Sequence, residues 1–229
     1  MNIIDNPAEV FRPPLQSRAT RKISLRSKAS ARGLVVARLP ADPHPRKIWF
    51  ESWPEYKCLL LLLAMAEVYN IWDQPPKIRY RNRDGKFCNH TFDYLVTLTN
   101  GERIAIAVKP AALVIKRDFV DELSYVAAAV PLDFADRVWL ITEKNLNKDE
   151  VANAEMLHAF RRKPDVEADE AIDGVIADLK GGMTIGSLVE VSGLGARGFR
   201  AIVRAIFDGK LSAPRQEKIT YATRVEVVA

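Results

Sequence analysis

The stretch from His90 to Pro110, H-T-F-D-Y-L-V-T-L-T-N-G-E-R-I-A-I-A-V-K-P, leaves this chain the fewest choices. Bulky apolar residues alternate on both sides of Asn100-Gly101, the pattern of a β-hairpin. Phe92, Tyr94, Val96 and Leu98 share one face of the first strand; Ile104, Ile106 and Val108 share one face of the second. A two-residue Asn-Gly loop would pair Asp93 with Val108. It would also throw the two apolar faces to opposite sides of the sheet, because a slip of one residue inverts every side chain. A three-residue loop, Asn100-Gly101-Glu102, keeps them together, with Ile104 opposite Leu98, Ile106 opposite Val96 and Val108 opposite Tyr94. That register sets Asp93 opposite Lys109 and Leu95 opposite Ala107, and asks for Gly101 or a neighbour at positive φ in a bulge. A carboxylate and a lysine held on adjacent strands could bind a divalent metal and a phosphate.

Charge is the next constraint. The chain has 229 residues, enough for one ordinary domain plus a small one, and a net charge of +5. The charge is uneven: from Arg18 to Lys47 there are nine Lys or Arg and one acid, Asp42. A basic block of this kind, containing Arg21, Lys22, Arg26 and Lys28, points to a polyanion, nucleic acid before all others. It lacks the amphipathic pattern of a membrane-surface helix. The two cysteines, Cys58 and Cys88, do not make a disulfide framework, and His44, His90 and His158 are too scattered for a zinc site. The start of the chain has no apolar signal core, and the apolar run Cys58 to Ala66 falls far short of the ~20 residues needed to cross a bilayer. The expectation is a soluble, cytoplasmic protein with no membrane partner.

Taken in order, residues 1–47 are interrupted by six prolines and read as a basic, largely irregular arm. Residues 48–69 read as a buried helix, with Ser52 as N-cap, Pro54 in the first turn and Glu55 completing a capping box. Its run Leu59 to Met65 has no polar face, so burial nearly all round is expected. Residues 71–80 read as a connector into a strand. After the hairpin come a helix over 119–130, a strand over 137–142 and a helix over 148–161, a mixed α/β layer with helices on both faces. Past the basic linker Arg161–Pro164, a helical stripe from Ala168 to Leu179 leads to a short helix capped by Thr184, a Gly-containing turn, and a helix from Ala196 to Phe207. That last helix interleaves Arg197, Arg200 and Arg204 with apolar residues, and the tail alternates like two short strands. Helix, turn, basic helix and strands together read as a winged helix. The expected units are 1–47, 48–164 (nuclease-like) and 165–229 (winged helix).

F-E-S-W-P-E-Y, the Q-P-P at Gln74, H-T-F-D-Y-L-V, A-V-K-P, L-I-T-E-K-N-L and N-A-E-M-L-H occur in an order and spacing that resembles the TnsA-type endonuclease subunit of heteromeric cut-and-paste transposons. The similarity covers roughly residues 46–161, and the winged-helix tail matches that family's domain order. The resemblance implies a restriction-endonuclease-like PD-(D/E)xK fold, magnesium-dependent cleavage of double-stranded DNA at transposon ends, and two partners, a transposase and an ATP-using regulator. It equates Glu55 with the family's helix glutamate, Asp93 with its strand aspartate and Lys109 with its motif lysine. Two residues before that lysine the family has Glu or Gln; this chain has Ala107, which cannot ligate a metal.

On this reading Glu55, Asp93 and the Val108 carbonyl hold one Mg2+ or Mn2+, which polarises the scissile phosphate. Lys109 orients the attacking water and offsets developing charge. Glu122 on the following helix could supply a displaced carboxylate, and Glu51 could stand in for Glu55. The competing reading is a catalytically silent DNA-binding protein that retains the nuclease fold, which Ala107 favours. Salt-sensitive DNA contacts are expected from Arg21, Lys22, Arg26 and Lys28, and groove or backbone contacts from Arg197, Arg200 and Arg204.

Overall fold

The computed structural model describes residues 12–21, 31–179, 181–214 and 216–228. In chain order the elements are β1 (Gly33–Ala37), β2 (Arg46–Phe50), α1 (Trp53–Ala64), β3 (Val68–Asp73), β4 (Ile78–Arg81), β5 (Phe87–His90), β6 (Tyr94–Leu98) and β7 (Arg103–Val108). They continue with α2 (Ala111–Lys116), α3 (Phe119–Ala128), β8 (Arg137–Ile141), α4 (Lys148–Arg161), α5 (Val166–Ala177), β9 (Met183–Thr184), α6 (Ile185–Ser192), α7 (Ala196–Phe207), β10 (Leu211–Ser212) and β11 (Arg224–Val227). The architecture is mixed α/β. A four-stranded sheet runs β3-β6-β7-β8, antiparallel except for the parallel β7/β8 pair that the α2–α3 crossover connects. Among the described residues no helix is long and apolar enough to cross a membrane.

Strand alternation divides the core into two layers. Tyr94, Val96, Ile104, Ile106 and Val108 face α1, where Cys58, Leu59 and Leu62 meet them. Leu95, Ala105 and Ala107 face α3, against Phe119, Leu123 and Val126. The apolar run of α1 is explained by a second contact: Leu60 on its far side packs on Val151 and Ala154 of α4. The helix lies between sheet and α4, which leaves only a narrow outer stripe where Trp53 and Lys57 are exposed and Leu61 and Ala64 half-buried.

The hairpin loop has the expected odd length, but it is Thr99-Asn100-Gly101. Leu98 N–H donates to Glu102 O at 2.8 Å, Asn100 Oδ1 accepts from Glu102 N–H, and Gly101 takes φ +89°. Thr99 is held in the loop by its N–H bond to Glu67 O. Tyr94 therefore opposes Ile106, and Val96 opposes Ile104. Moving the register by two residues preserves which face each side chain takes, so the apolar surfaces still coincide. It corrects the pairing of Asp93, which falls level with Ala107 rather than Lys109.

Two further expectations need correction. The helix predicted over 48–69 is confined to Trp53–Ala64, because Ser52 caps it and the flanking residues belong to β2 and β3. Nor is the chain before residue 48 largely irregular. β1 pairs with β2, so the boundary at 47 cuts a strand, and Val35, Ala37 and Leu39 join the α1-side core. Residues 17 and 18 are also tied down: Ser17 Oγ and the Arg18 N–H donate to Asp73, and the Arg18 guanidinium reaches Asn70 and Asp42. Asp42, the one acid of the basic block, is buried between Arg18 and Arg46. Burial would raise its carboxyl, but the hydrogen bonds and charges of the two arginines outweigh that and hold it below the usual range.

The C-terminal elements form a second core, with α5, α6 and α7 closed by a three-stranded sheet in the order β10-β11-β9. Thr184 caps α6 by accepting from Ser187 N–H. The second core docks on α4, which contributes Leu157 to it. Asn153 of α4 donates to Glu217 O and accepts from Ile219 N–H, both at 2.9 Å, so a buried amide clasps the tail.

Candidate active site

β6 enters and β7 leaves the sheet at the same end, and the N-terminus of α1 comes to that end as well. Glu55 lies in the first turn of α1, 7% exposed. One carboxylate oxygen accepts from Ser52 Oγ at 2.9 Å and the other from Glu51 N–H at 2.6 Å, so the N-cap fixes the side chain as well as the helix. Asp93 immediately precedes β6. Its Oδ2 accepts the Val108 N–H at 2.7 Å. Lys109 Nζ stands 3.5 Å from the same Oδ2 and 3.2 Å from Val108 O.

These groups act on one another. Glu55 is pushed up to about 7, first by burial and then by the negative charge of Asp93, with Lys109 opposing. Cys58, one turn further along α1, is pushed up to about 12 by burial and by the same two carboxylates. It is a neutral core thiol, not a nucleophile. Tyr94 is fully buried and donates its hydroxyl to the Glu55 and Trp49 carbonyls at 3.3 and 3.4 Å, tying α1 to the strand beside Asp93.

The other expected residues are placed differently. Ala107 is 0% exposed and sits in the apolar cluster under α3. Glu122 accepts from Tyr80 Oη at 2.7 Å. Glu51 pairs with Arg21 and Arg32, while Arg21 also donates to Gln74 Oε1. Arg21 is thus engaged within the protein; Lys22, Arg26 and Lys28 lie outside the described residues. Arg197 is bound by Asp165 and Glu167, and Arg204, 7% exposed, by Asp169. Both guanidinium groups hold α7 against α5, so of the three arginines only Arg200 is left without a partner among the described residues.

One residue escaped the sequence reading. His90, at the end of β5, is buried edge-on to Phe92 at 4.8 Å and beside Phe119 at 5.9 Å. Its Nε2 has no hydrogen-bond partner among the described residues. Burial and then the charge of Lys109 hold it below the usual imidazole range, hence neutral. The only available signal was its position at the head of the hairpin stretch, where apolar alternation begins.

Glu55, Asp93 and the Val108 carbonyl are hard oxygen donors of the kind that Mg2+ or Mn2+ takes. Among the described residues no three His, Cys, Asp or Glu side chains gather into a metal-holding group. The donor set therefore suits a single cation that retains several of its waters, and the mutual repulsion of Glu55 and Asp93 is what such a cation would relieve. Comparison with protein-family models and with curated proteins found no match.

Proposed function

We propose that this protein is a metal-dependent DNA endonuclease subunit of a transposition system, with a restriction-endonuclease-like nuclease unit and a C-terminal winged helix. The observation that carries the reading is the bridging position of Lys109 Nζ, within 3.5 Å of Asp93 Oδ2 and 3.2 Å of Val108 O, at the end of the sheet that also receives Glu55. A structural ion pair alone would not require a second buried carboxylate beside it. The nuclease unit in this reading begins at β1, since β1 and β2 share its core. Transposition, the transposase partner and the ATP-using regulator rest on the resemblance of residues 46–161 alone.

Glu55, Asp93 and the Val108 carbonyl would hold Mg2+ or Mn2+, which supplies Lewis-acid polarisation of a phosphodiester. The protein's own groups do the rest. The Ser52 hydroxyl and the Glu51 N–H fix the Glu55 carboxylate, and the Val108 N–H fixes that of Asp93. Lys109 brings an ammonium to the same point, where it orients water and offsets charge developing on the phosphate oxygens. The test is nicking of supercoiled plasmid with Mg2+ or Mn2+, against Asp93→Ala, with and without the partner transposase. Nicking by the parent and none by the variant is the expected result.

A second reading, a catalytically silent DNA-binding protein on the same fold, is favoured by one observation. Ala107 occupies the position of an expected oxygen ligand and is sealed in an apolar cluster. Equal behaviour of parent and Asp93→Ala under all conditions would favour it.

A further inference from the structure

β4 and β5 form a two-stranded ribbon with two unlike faces. Their register pairs Ile78 with His90, Arg79 with Asn89, Tyr80 with Cys88 and Arg81 with Phe87. Alternation sends Ile78, Tyr80 and His90 inwards, where Ile78 and Tyr80 join the α3-side core and Tyr80 bonds to Glu122. Arg79, Arg81, Phe87 and Asn89 are all exposed on the outer face. Phe87, 55% exposed, lies under both guanidinium groups, 3.9 Å from Arg79 and 4.2 Å from Arg81. Lys77 before the ribbon and Arg83 and Lys86 at its turn are also exposed. None of these five cations has an ion-pair partner among the described residues, although ion pairs engage Arg18, Arg21, Arg46, Arg197 and Arg204 elsewhere. The turn is fixed: Asn82 Oδ1 accepts from the Asp84 and Lys86 N–H groups, and Gly85 takes φ +75°.

We propose that the outer face of the β4–β5 ribbon binds the phosphate backbone of duplex DNA and seats it on the site of Glu55, Asp93 and Lys109. The proposal deepens the nuclease reading and rests on it for the identity of the polyanion. Three features favour this occupant. Five cations on or beside one short ribbon, none with an ion-pair partner among the described residues, are complementary to phosphate. A two-stranded ribbon is narrow enough to lie in or across the major groove. The ribbon also leads directly to the candidate site: its last residue, His90, contacts Phe119, whose ring in turn lies 5.8 Å from Lys109 Nζ. Phe87 is a positioning residue. By stacking under two guanidinium groups it limits the side-chain freedom that Arg79 and Arg81 would lose on binding.

The experiment is fluorescence anisotropy of the full chain on a duplex of about thirty base pairs, without metal, over a series of salt concentrations. Arg79→Gln with Arg81→Gln should lower affinity about tenfold or more at moderate salt. It should also reduce the slope of log K against log salt by about two, one for each lost phosphate contact. Phe87→Leu should weaken binding with the slope unchanged, and Phe87→Tyr should bind as the parent does. Lys86→Glu, in an exposed side chain with no ion-pair partner among the described residues, gives the same direction should the double variant fail to fold. An unchanged slope and affinity in folded ribbon variants overturns the proposal, as does an effect seen on single-stranded DNA but not on duplex. Nicking is scored separately, on Asp93→Ala: loss of nicking with duplex binding intact supports the nuclease reading whatever the ribbon does.

Discussion

The N–H of Val108 donates to Asp93 Oδ2 at 2.7 Å, so the carboxylate just before β6 is fixed by the backbone that ends β7. The bond is buried and lies beyond the last regular pairing of the hairpin, where the sheet ladder offers Val108 no partner on that side. It gives Asp93 a structural duty in addition to any chemical one.

Asp93→Ala should therefore cost stability as well as activity. It strands a buried N–H, which is worth about 1–3 kcal/mol. Asp93→Asn keeps an oxygen acceptor and should lose less than half as much in urea melts, while abolishing nicking as fully as alanine. Equal destabilisation by the two substitutions would mean that the Val108 bond is not made in solution.

Glu55 makes metal-free stability depend on pH. Its carboxyl sits at about 7 in the folded chain against 4.5 ordinarily, so between those values the folded state holds the proton more tightly. Its contribution is fully present below about 4.5 and is lost as pH rises through about 7, because the unfolded state then binds fewer protons than the native one. Glu55→Gln should raise stability by about 1–3 kcal/mol at pH 8 relative to the parent and change little at pH 4. Mg2+ should raise the parent's Tm at pH 8 and leave Glu55→Gln almost unmoved. A parent whose Tm does not respond to millimolar Mg2+ or Mn2+ would count against a cation at this site.

Arg204 and Arg200 lie one turn apart on α7 and should separate cleanly. Arg204 is buried against Asp169, so Arg204→Ala should destabilise by about 1–3 kcal/mol. Arg200→Ala should leave the Tm within a degree or two and weaken duplex binding, by ~1–3 kcal/mol if it reads a base edge. Loss of binding in a fully stable Arg204 variant would reverse these roles.

What could be read in advance follows from how far each signal reaches. Ser52, Pro54 and Glu55 placed the start of α1 because capping is settled within four residues. The alternation around Asn100-Gly101 determined which hairpin residues share a face, because parity survives any even shift. The same pattern could not fix the register itself; in the structure Thr99 lies in the loop, its N–H donating to Glu67 O in a distant segment. β1 was missed for a related reason: its partner is β2, and the prolines and cations around it imitate a solvated arm. The cations of α7 looked like a DNA surface, whereas the acids that hold two of them, Asp165 and Asp169, stand some thirty residues earlier. Charge patterns along one helix say nothing of counter-charges on its neighbour. The ribbon cations at Arg79 and Arg81 did keep an exposed surface, but Arg79 lay in the stretch 71–80 that read as a connector into a strand, and Arg81 just beyond it.

Ala107 provides the sharpest test. It is fully buried among Phe92, Leu95, Phe119 and Leu123, two residues before Lys109 and level with Asp93. A glutamate there would place a carboxylate under α3, level with Asp93 and two residues before Lys109 in the chain. Without metal, Ala107→Glu should be destabilised by roughly 2–5 kcal/mol, since an extra carboxylate is desolvated beside an existing one. With Mg2+ a larger share of that loss should be regained than in the parent, because the new oxygen is a further ligand for a hard cation. Mg2+-dependent nicking should rise, and Ala107→Gln should show the same direction with a smaller penalty. Adding Lys109→Ala should abolish the gain in nicking while leaving the metal-dependent rise in Tm, because the lysine orients water and does not ligate. A folded Ala107→Glu protein with no additional response of Tm to Mg2+ and no faster nicking would mean that Glu55, Asp93 and Lys109 do not converge on one cation. The silent DNA-binding reading would then be the better account of the same fold.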